Sequence, residues 1–437
     1  MFTTLKNAFK IKEIRNKLLY TLGMLVVIRL GSQLPVPGVN RHYFSNWFAQ
    51  QTGDAFSFFD AFTGGSFINM SVLALNITPY ITSSIIMQLL TIAIPKLEEM
   101  QKEGEDGRKK IASITRYVTV ALALIESSAL AFYFGGSGLL EVDNFFNKFT
   151  VIAALTAGSA FLMWIGEQIT EHGVGNGISI VLVINIISRI PQDISNLFEQ
   201  FVFGKAIAVG AVAAIIIFAI ILAMVIMVII LNDGVHKIPV QYAKKVQGRK
   251  MVGGQTSSIP LKVNTAGVIP IIFASSLMQL PVIICSFFNY SGTGVWAHIL
   301  RGLSSSNWCN PSEPVYSIGL VVYVALVIFF AYFYTSITFN PLEIAENMKK
   351  QGGFIPGIRP GKPTSEYLTK ILNYIIFIGA VGLTIICVIP FVFNGVFGAS
   401  VSFGGTSLII IVSVVLETMK QIESQMLVRN YKGFLND

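Results

Sequence analysis

Few side chains in this sequence have types and spacings that do covalent chemistry. Cys285, Cys309 and Cys387 are odd in number and far apart. They offer neither metal-ligand spacing nor a disulfide framework. GVGNGIS (173–179) is glycine-rich but lacks the lysine of a phosphate-binding loop. Glu126 is a lone acid inside ALALIESSAL, and neither an acidic pair nor a histidine cluster accompanies it in the sequence. A carboxylate so placed suits helix packing or an interface better than an ion site. Arg29 lies near the end of an apolar run and can snorkel to the interface. An enzyme reading therefore has no chemistry to stand on. What is spaced regularly is apolar: Ile81 and Ile85, Leu182 and Ile186, and Val268 and Ile272 each lie one helical turn apart. Such pairs serve helix packing, or they line a constriction that blocks ions by dewetting. Gln88 and Asn185 share these apolar stretches. Interhelical hydrogen bonds in membranes are worth only about 1 kcal/mol each, so a seam held by a few of them can open.

The elements that position these residues follow from composition. The 437 residues are 53% hydrophobic and 12% charged, the profile of a polytopic membrane protein. Hydropathy predicts an all-α chain with ten crossings, near 18–34, 70–94, 111–134, 149–168, 177–192, 207–231, 265–288, 315–338, 369–393 and 404–420. The basic start before the first crossing imitates a signal peptide, but no clear small-residue cleavage site follows, so it reads as a retained span. The N-terminus and the regions 95–116, 232–263, 340–370 and 420–437 hold 25 of the 31 Lys and Arg. The positive-inside rule then puts both termini in the cytoplasm, which ten crossings allow. Two cytoplasmic loops are long. Residues 233–262 alternate as a hairpin does, and 340–368 start as a short helix and end in a Gly/Pro-rich tip. Lys244, Lys245, Arg249, Lys250, Arg359 and Lys362 make both loops basic. That charge serves lipid headgroups and topology, or docking to a large acidic or RNA-rich partner.

The stretch DAFSFFDAFTGGSFINMSVLALNITPYITSSIIMQLL (54–90) fits no single straight helix. Gly64, Gly65 and Ser66 interrupt it, and Asn76, Thr78 and Pro79 interrupt it again. The reading is a short half-inserted piece, about 55–67, followed by a full crossing at 70–94. The short piece is a candidate stopper or an ordinary re-entrant segment. The second crossing reads PYITSSIIMQLL and the seventh PIIFASSLMQLP. Each is the second of five, so the halves 1–204 and 205–437 read as an inverted repeat, a plan that places a pathway at the mutual interface. Three functions remain open on the residues alone: a conduit, a secondary transporter coupled through Glu126, or a scaffold.

Five long stretches resemble the SecY family, the large subunits of bacterial protein-conducting channels. They are SVLALNITPYITSSIIMQLL (71–90), WIGEQITEHGVGNGISIVL (164–182), KVNTAGVIPIIFASS (262–276), GGFIPGIRPGKPTSEYL (352–368) and FGGTSLII (403–410). The resemblance implies two inverted five-helix halves around an hourglass pore. It implies a plug at about 56–67, with Phe56, Phe58, Phe59, Phe62, Gly64, Gly65 and Phe67. It implies a pore ring of Ile81, Ile85, Leu182, Ile186, Val268, Ile272 and Ile410, and a lateral gate between the second and third crossings and the seventh and eighth, carrying Ser84, Gln88, Ser275 and Ser276. Leu182 and Val268 depart from isoleucine but keep the ring apolar. Arg359 matches the loop arginine that serves the motor, and 233–262 a second docking surface. The implied activity is passive passage of unfolded polypeptide, with no cofactor. The implied partners are SecE, SecG, the ATPase SecA, the ribosome, the secretory chain with its signal sequence, and membrane lipid. The implied location is the bacterial plasma membrane.

Overall fold

The apolar runs fold as helices. A computed structural model describes residues 2–41, 44, 63–136, 138, 140, 142–203, 207–242, 245–247, 250–252, 256–287, 294–304, 307–309, 311, 313–397 and 405–433. In chain order these form α1 (Phe2–Lys10), α2 (Lys12–Gly31), α3 (Thr78–Ala93), α4 (Pro95–Lys102), α5 (Glu105–Gly136), α6 (Phe145–His172), α7 (Gly177–Phe201) and α8 (Ile207–Asp233). A strand group follows: β1 (Val235–Tyr242), β2 (Lys245–Gln247), β3 (Lys250–Val252) and β4 (Thr256–Lys262). Then come α9 (Ile269–Phe287), α10 (Val295–Leu303), a 3-10 turn at Pro314–Ser317, α11 (Ile318–Thr338), α12 (Pro341–Lys350), β5 (Gly353–Phe354), α13 (Lys362–Phe397) and α14 (Gly405–Gly433). A helix falls on each of the ten predicted crossings. Among the described residues six are long and apolar enough to span by themselves, and α3 with α4 makes a further, bent candidate.

The second crossing is the one that differs most from its expected form. Its helix begins at Thr78, not near 70, and runs for 16 residues. At 1.5 Å per residue that is about 24 Å, against a hydrocarbon core of about 30 Å. Residues 64–77 are turns apart from Ser71, which bridges to Pro35, with Met70 at φ 43° and Asn76 at φ 53°. At the other end Ile94 is extended (φ −112°, ψ 110°) before Pro95, as sterics ahead of proline require. The chain bends there by 106° into α4.

Two compact units are present: residues 1–195 with 284–290 and 414–437, and residues 196–283 with 291–413. In the first, α5 and α6 are joined by Ser127 Oγ to Thr156 Oγ1 at 2.9 Å and by Arg116 Nε to Glu167 Oε1 at 2.7 Å. Gly158 on α6 lets the backbone at Val72 approach, since a Cβ there would lie 1.9 Å from the Val72 carbonyl oxygen. Phe67, Met70, Leu75, Leu130, Val151 and Leu155 fill the adjoining core. In the second unit Trp308, Tyr323, Val327, Ile386 and Cys387 form the core. A polar chain runs beside it: Asn264 Nδ2 donates to Asn232 Oδ1 (2.9 Å), and Asn232 Nδ2 donates to Ser413 Oγ (2.7 Å).

The expected hairpin at 233–262 is present, so the chain is mostly helical rather than wholly so. β1 and β4 pair antiparallel from Val235↔Lys262 to Gln241↔Thr256. The other loop joins the same sheet, because β5 pairs with β1 through Gln241↔Phe354 and Tyr242↔Gly353. Ile238 and Val240 of β1 and Leu261 of β4 form one buried cluster with Met348, Ile355 and Leu368. Sequence periodicity signals a hairpin but cannot reveal which distant dipeptide completes its edge.

Candidate functional site

In the first unit, the approach to α3 is built around two left-handed glycines and a pair of asparagines. Gly64 and Gly65 have φ +65° and +82°. A Cβ on Gly64 would lie 2.4 Å from the Asn185 carbonyl oxygen on α7, so only glycine fits there without a shift. Asn185 Nδ2 donates to Asn76 Oδ1 at 2.8 Å, and Ser159 Oγ on α6 donates to the Asn76 carbonyl at 3.2 Å. Ser188 Oγ lies 3.4 Å from the Gly64 carbonyl. Phe67 is buried, its ring edge-on to Phe44 at 5.7 Å. Irregular backbone at membrane depth needs partners of this kind, because lipid supplies none. Gly64, Gly65 and Phe67 thus sit in this turn region, whereas Phe56, Phe58, Phe59 and Phe62 lie outside the described residues.

Four expected ring residues belong to the same unit. Ile81 and Ile85 are half-buried on α3, and Leu182 and Ile186 are buried on α7. In the second unit Val268 and Ile272 are half-buried, one just before α9 and one on it, and Ile410 is buried on α14. Of the gate residues, Ser84 is half-buried, Gln88 exposed, Ser275 buried and Ser276 exposed. On α3 it is the neighbouring Ser83 that bonds to another helix, donating to the Thr115 carbonyl of α5 at 2.8 Å. Ser83, Asn76, Ser159 and Ser188 were not expected as site residues. A small polar residue in an apolar run is their only signal, and it does not identify a partner.

The basic loops divide likewise. Arg359 and Lys362 are exposed at the tip that follows β5. Gly357 and Gly361 take φ +83° and +104°, and Thr364 Oγ1 donates to the Arg359 carbonyl at 2.8 Å, fixing the turn. Lys245 and Lys250 lie on the paired strands β2 and β3, whereas Lys244 and Arg249 fall outside the described residues. Glu126 is on α5, beside the Ser127–Thr156 bond. Among the described residues no group of three or more His, Cys, Asp or Glu is placed to hold a metal.

The family model for SecY matches residues 71–419. The protein translocase subunit SecY of Bacillus licheniformis is 43% identical, with all of both chains aligned. The chain belongs to the SecY family. Solved structures agree in fold. A SecY channel structure concerned with a plug domain that stabilises the closed state superposes with a TM-score of 0.62 at 19% identity, covering 94% of this chain and 92% of that one. Sec61 in a canine ribosome–channel complex superposes at 0.58 with 17% identity, covering 94% and 92%. As a SecY-family member this chain is a multi-pass membrane subunit of a protein-conducting channel, not an enzyme. Its gaps in covalent chemistry now have a physical reason. A conduit needs walls, a closure and docking surfaces, and those are made of apolar side chains, turns and exposed charge.

Proposed function

We propose that this channel subunit passes unfolded secretory polypeptides across the bacterial plasma membrane and releases apolar segments sideways into lipid. The observation that carries the reading is the non-helical approach to α3, seated on Asn185 and Ser188 of α7. A straight packed span would need no such seat. Residues 56–67 act as the plug hinged there. Ile81, Ile85, Leu182, Ile186, Val268, Ile272 and Ile410 close around the chain in transit. An apolar ring has no fixed hydrogen-bond partners, so it grips no one sequence and supports no continuous water column. Halves 1–204 and 205–437 part along Ser84, Gln88, Ser275 and Ser276, and apolar cargo leaves with a gain of about 25 cal/mol per Å² buried. SecE and SecG flank the subunit. SecA or the ribosome supplies the work through the platform carrying Lys244, Lys245, Arg249, Lys250, Arg359 and Lys362. Both termini are cytoplasmic.

The test is a stalled secretory chain in the assembled translocase, with single cysteines in place of Ile81, Ile186 and Ile272. Crosslinks from all three to one cargo residue are expected. Crosslinks from lipid-facing control positions, with none from these three, would refute the route.

A further inference from the structure

Helix α10 has nine residues, VWAHILRGL, and none of them is buried. Helical spacing puts Val295, Trp296, Ile299, Leu300 and Leu303 on one arc and His298 and Arg301 on the other. On the apolar arc Val295 is 78% exposed, Trp296 50% and Ile299 44%. The helix is nevertheless firmly held. Trp308 Nε1 donates to the Gly302 carbonyl at 2.8 Å, and the Trp308 ring lies 5.4 Å from Tyr323 and 4.8 Å from Phe391. Gly319, at the start of α11, permits this approach, because a Cβ there would lie 1.8 Å from the Gly302 carbonyl oxygen. His298 Nδ1 and Tyr316 Oη are 2.8 Å apart. The contacts therefore clamp the polar arc and the C-terminal end, where Leu303 packs against the core, and they leave Val295, Trp296 and Ile299 uncovered.

The foot of α11 continues that apolar surface. Val315, Ile318 and Val321 are 70%, 65% and 69% exposed, and the last two lie on a helix long and apolar enough to cross a membrane. A short helix at the end of such a span, with tryptophan and aliphatics on one arc and His and Arg on the other, has the composition that settles at the headgroup boundary.

We propose that α10 is an interfacial helix. It seats Val295, Trp296 and Ile299 in the headgroup–acyl boundary and lays Arg301 against lipid phosphate. The surface is continuous with the foot of an apolar span, and the charge on α10 itself, Arg301, is cationic, which fits an anionic lipid surface. The seat gives the segment linking α9 to α11 a fixed depth. With the orientation proposed above this boundary belongs to the outer leaflet; the seating itself does not depend on that orientation.

The experiment uses the complete translocase, free of other cysteines, in vesicles of phosphatidylcholine and phosphatidylglycerol. A polarity-sensitive fluorophore is attached at Val295→Cys or Ile299→Cys, with exposed Lys237→Cys on β1 as the aqueous reference. Nitroxide lipids carrying the label near the headgroup should quench α10 positions about twofold more than those labelled near the chain end. Aqueous iodide should quench them well below the reference. Reference-level iodide quenching would place α10 in water, and protection from both lipid and iodide would mean a protein covers it. Either result overturns the proposal. Arg301→Glu should reduce the blue shift that phosphatidylglycerol produces, and an unchanged shift would remove the arginine from the seat. The readouts come from the resting complex, so they stand apart from any failure of polypeptide export.

Discussion

Asn185 does two jobs with one residue. Its backbone carbonyl limits position 64 to glycine, and its side-chain amide holds Asn76, itself in a left-handed turn at φ 53°. Asn185→Leu removes the donor and leaves a buried amide without it. Such a bond is worth about 1 kcal/mol in a membrane, a factor of about five in an equilibrium. The resting translocase in a planar bilayer should then show about fivefold more frequent ion-conducting openings, at normal protein level. Gly64→Val should act in the same direction, because its Cβ would meet the Asn185 carbonyl and its φ is unfavourable for a branched side chain. Unchanged conductance in both variants would detach this turn from the closure. Asn185 was legible in the sequence as a polar residue in an apolar run, and Asn76 as an interruption. Their pairing was not, since hydropathy records depth and says nothing of which helix faces which.

At the scale of elements, the helices were legible because twenty apolar residues can satisfy their backbone in lipid only as a helix. The start of α3 was misplaced because an apolar turn and an apolar helix have the same hydropathy. The internal echo gained a local counterpart. Both α3 and α9 begin two residues after a left-handed residue, Asn76 at φ 53° and Gly267 at φ 65°, and both carry proline at their second position. The two long basic loops show the opposite balance. Their hairpin alternation could be read, but β5 joining β1 could not. That pairing makes one platform of two loops and presents Arg359 beside it on a turn fixed by Thr364. Arg359→Glu changes only an exposed charge, so the membrane fold should persist. Against an acidic motor surface the reversal should weaken docking about tenfold or more, the equivalent of about 1.4 kcal/mol. SecA-driven export into inverted vesicles should fall accordingly. Export at the normal rate, with normal SecY-family subunit in the membrane, would count against the docking role.

Over the whole molecule, charge decides orientation and apolarity decides depth. The basic residues cluster at the N-terminus, in 95–116, in the two long loops and at the C-terminus. A membrane that holds Lys and Arg on one side turns this distribution into a topology. Protease added to inverted vesicles should cut within 233–262 and 340–368, whereas protease outside intact spheroplasts should spare both. Cleavage of these loops from the outer side would reverse the proposed orientation and remove the proposed docking role with it. The proposed plug belongs to the same scale, because a seal matters only to a complete conduit. Residues 57–62 lie outside the described structure, but their attachment at Thr63–Phe67 does not, and Phe67 Nα donates to Thr63 Oγ1 at 3.3 Å within it. Deleting 57–67 removes the segment and its seated end together, while α3 keeps its own start at Thr78. The resting channel should leak ions and still export protein, since the proposed apolar ring would remain to close around a moving chain. Loss of export without leak would mean that the segment holds the helices together and does not stopper the channel.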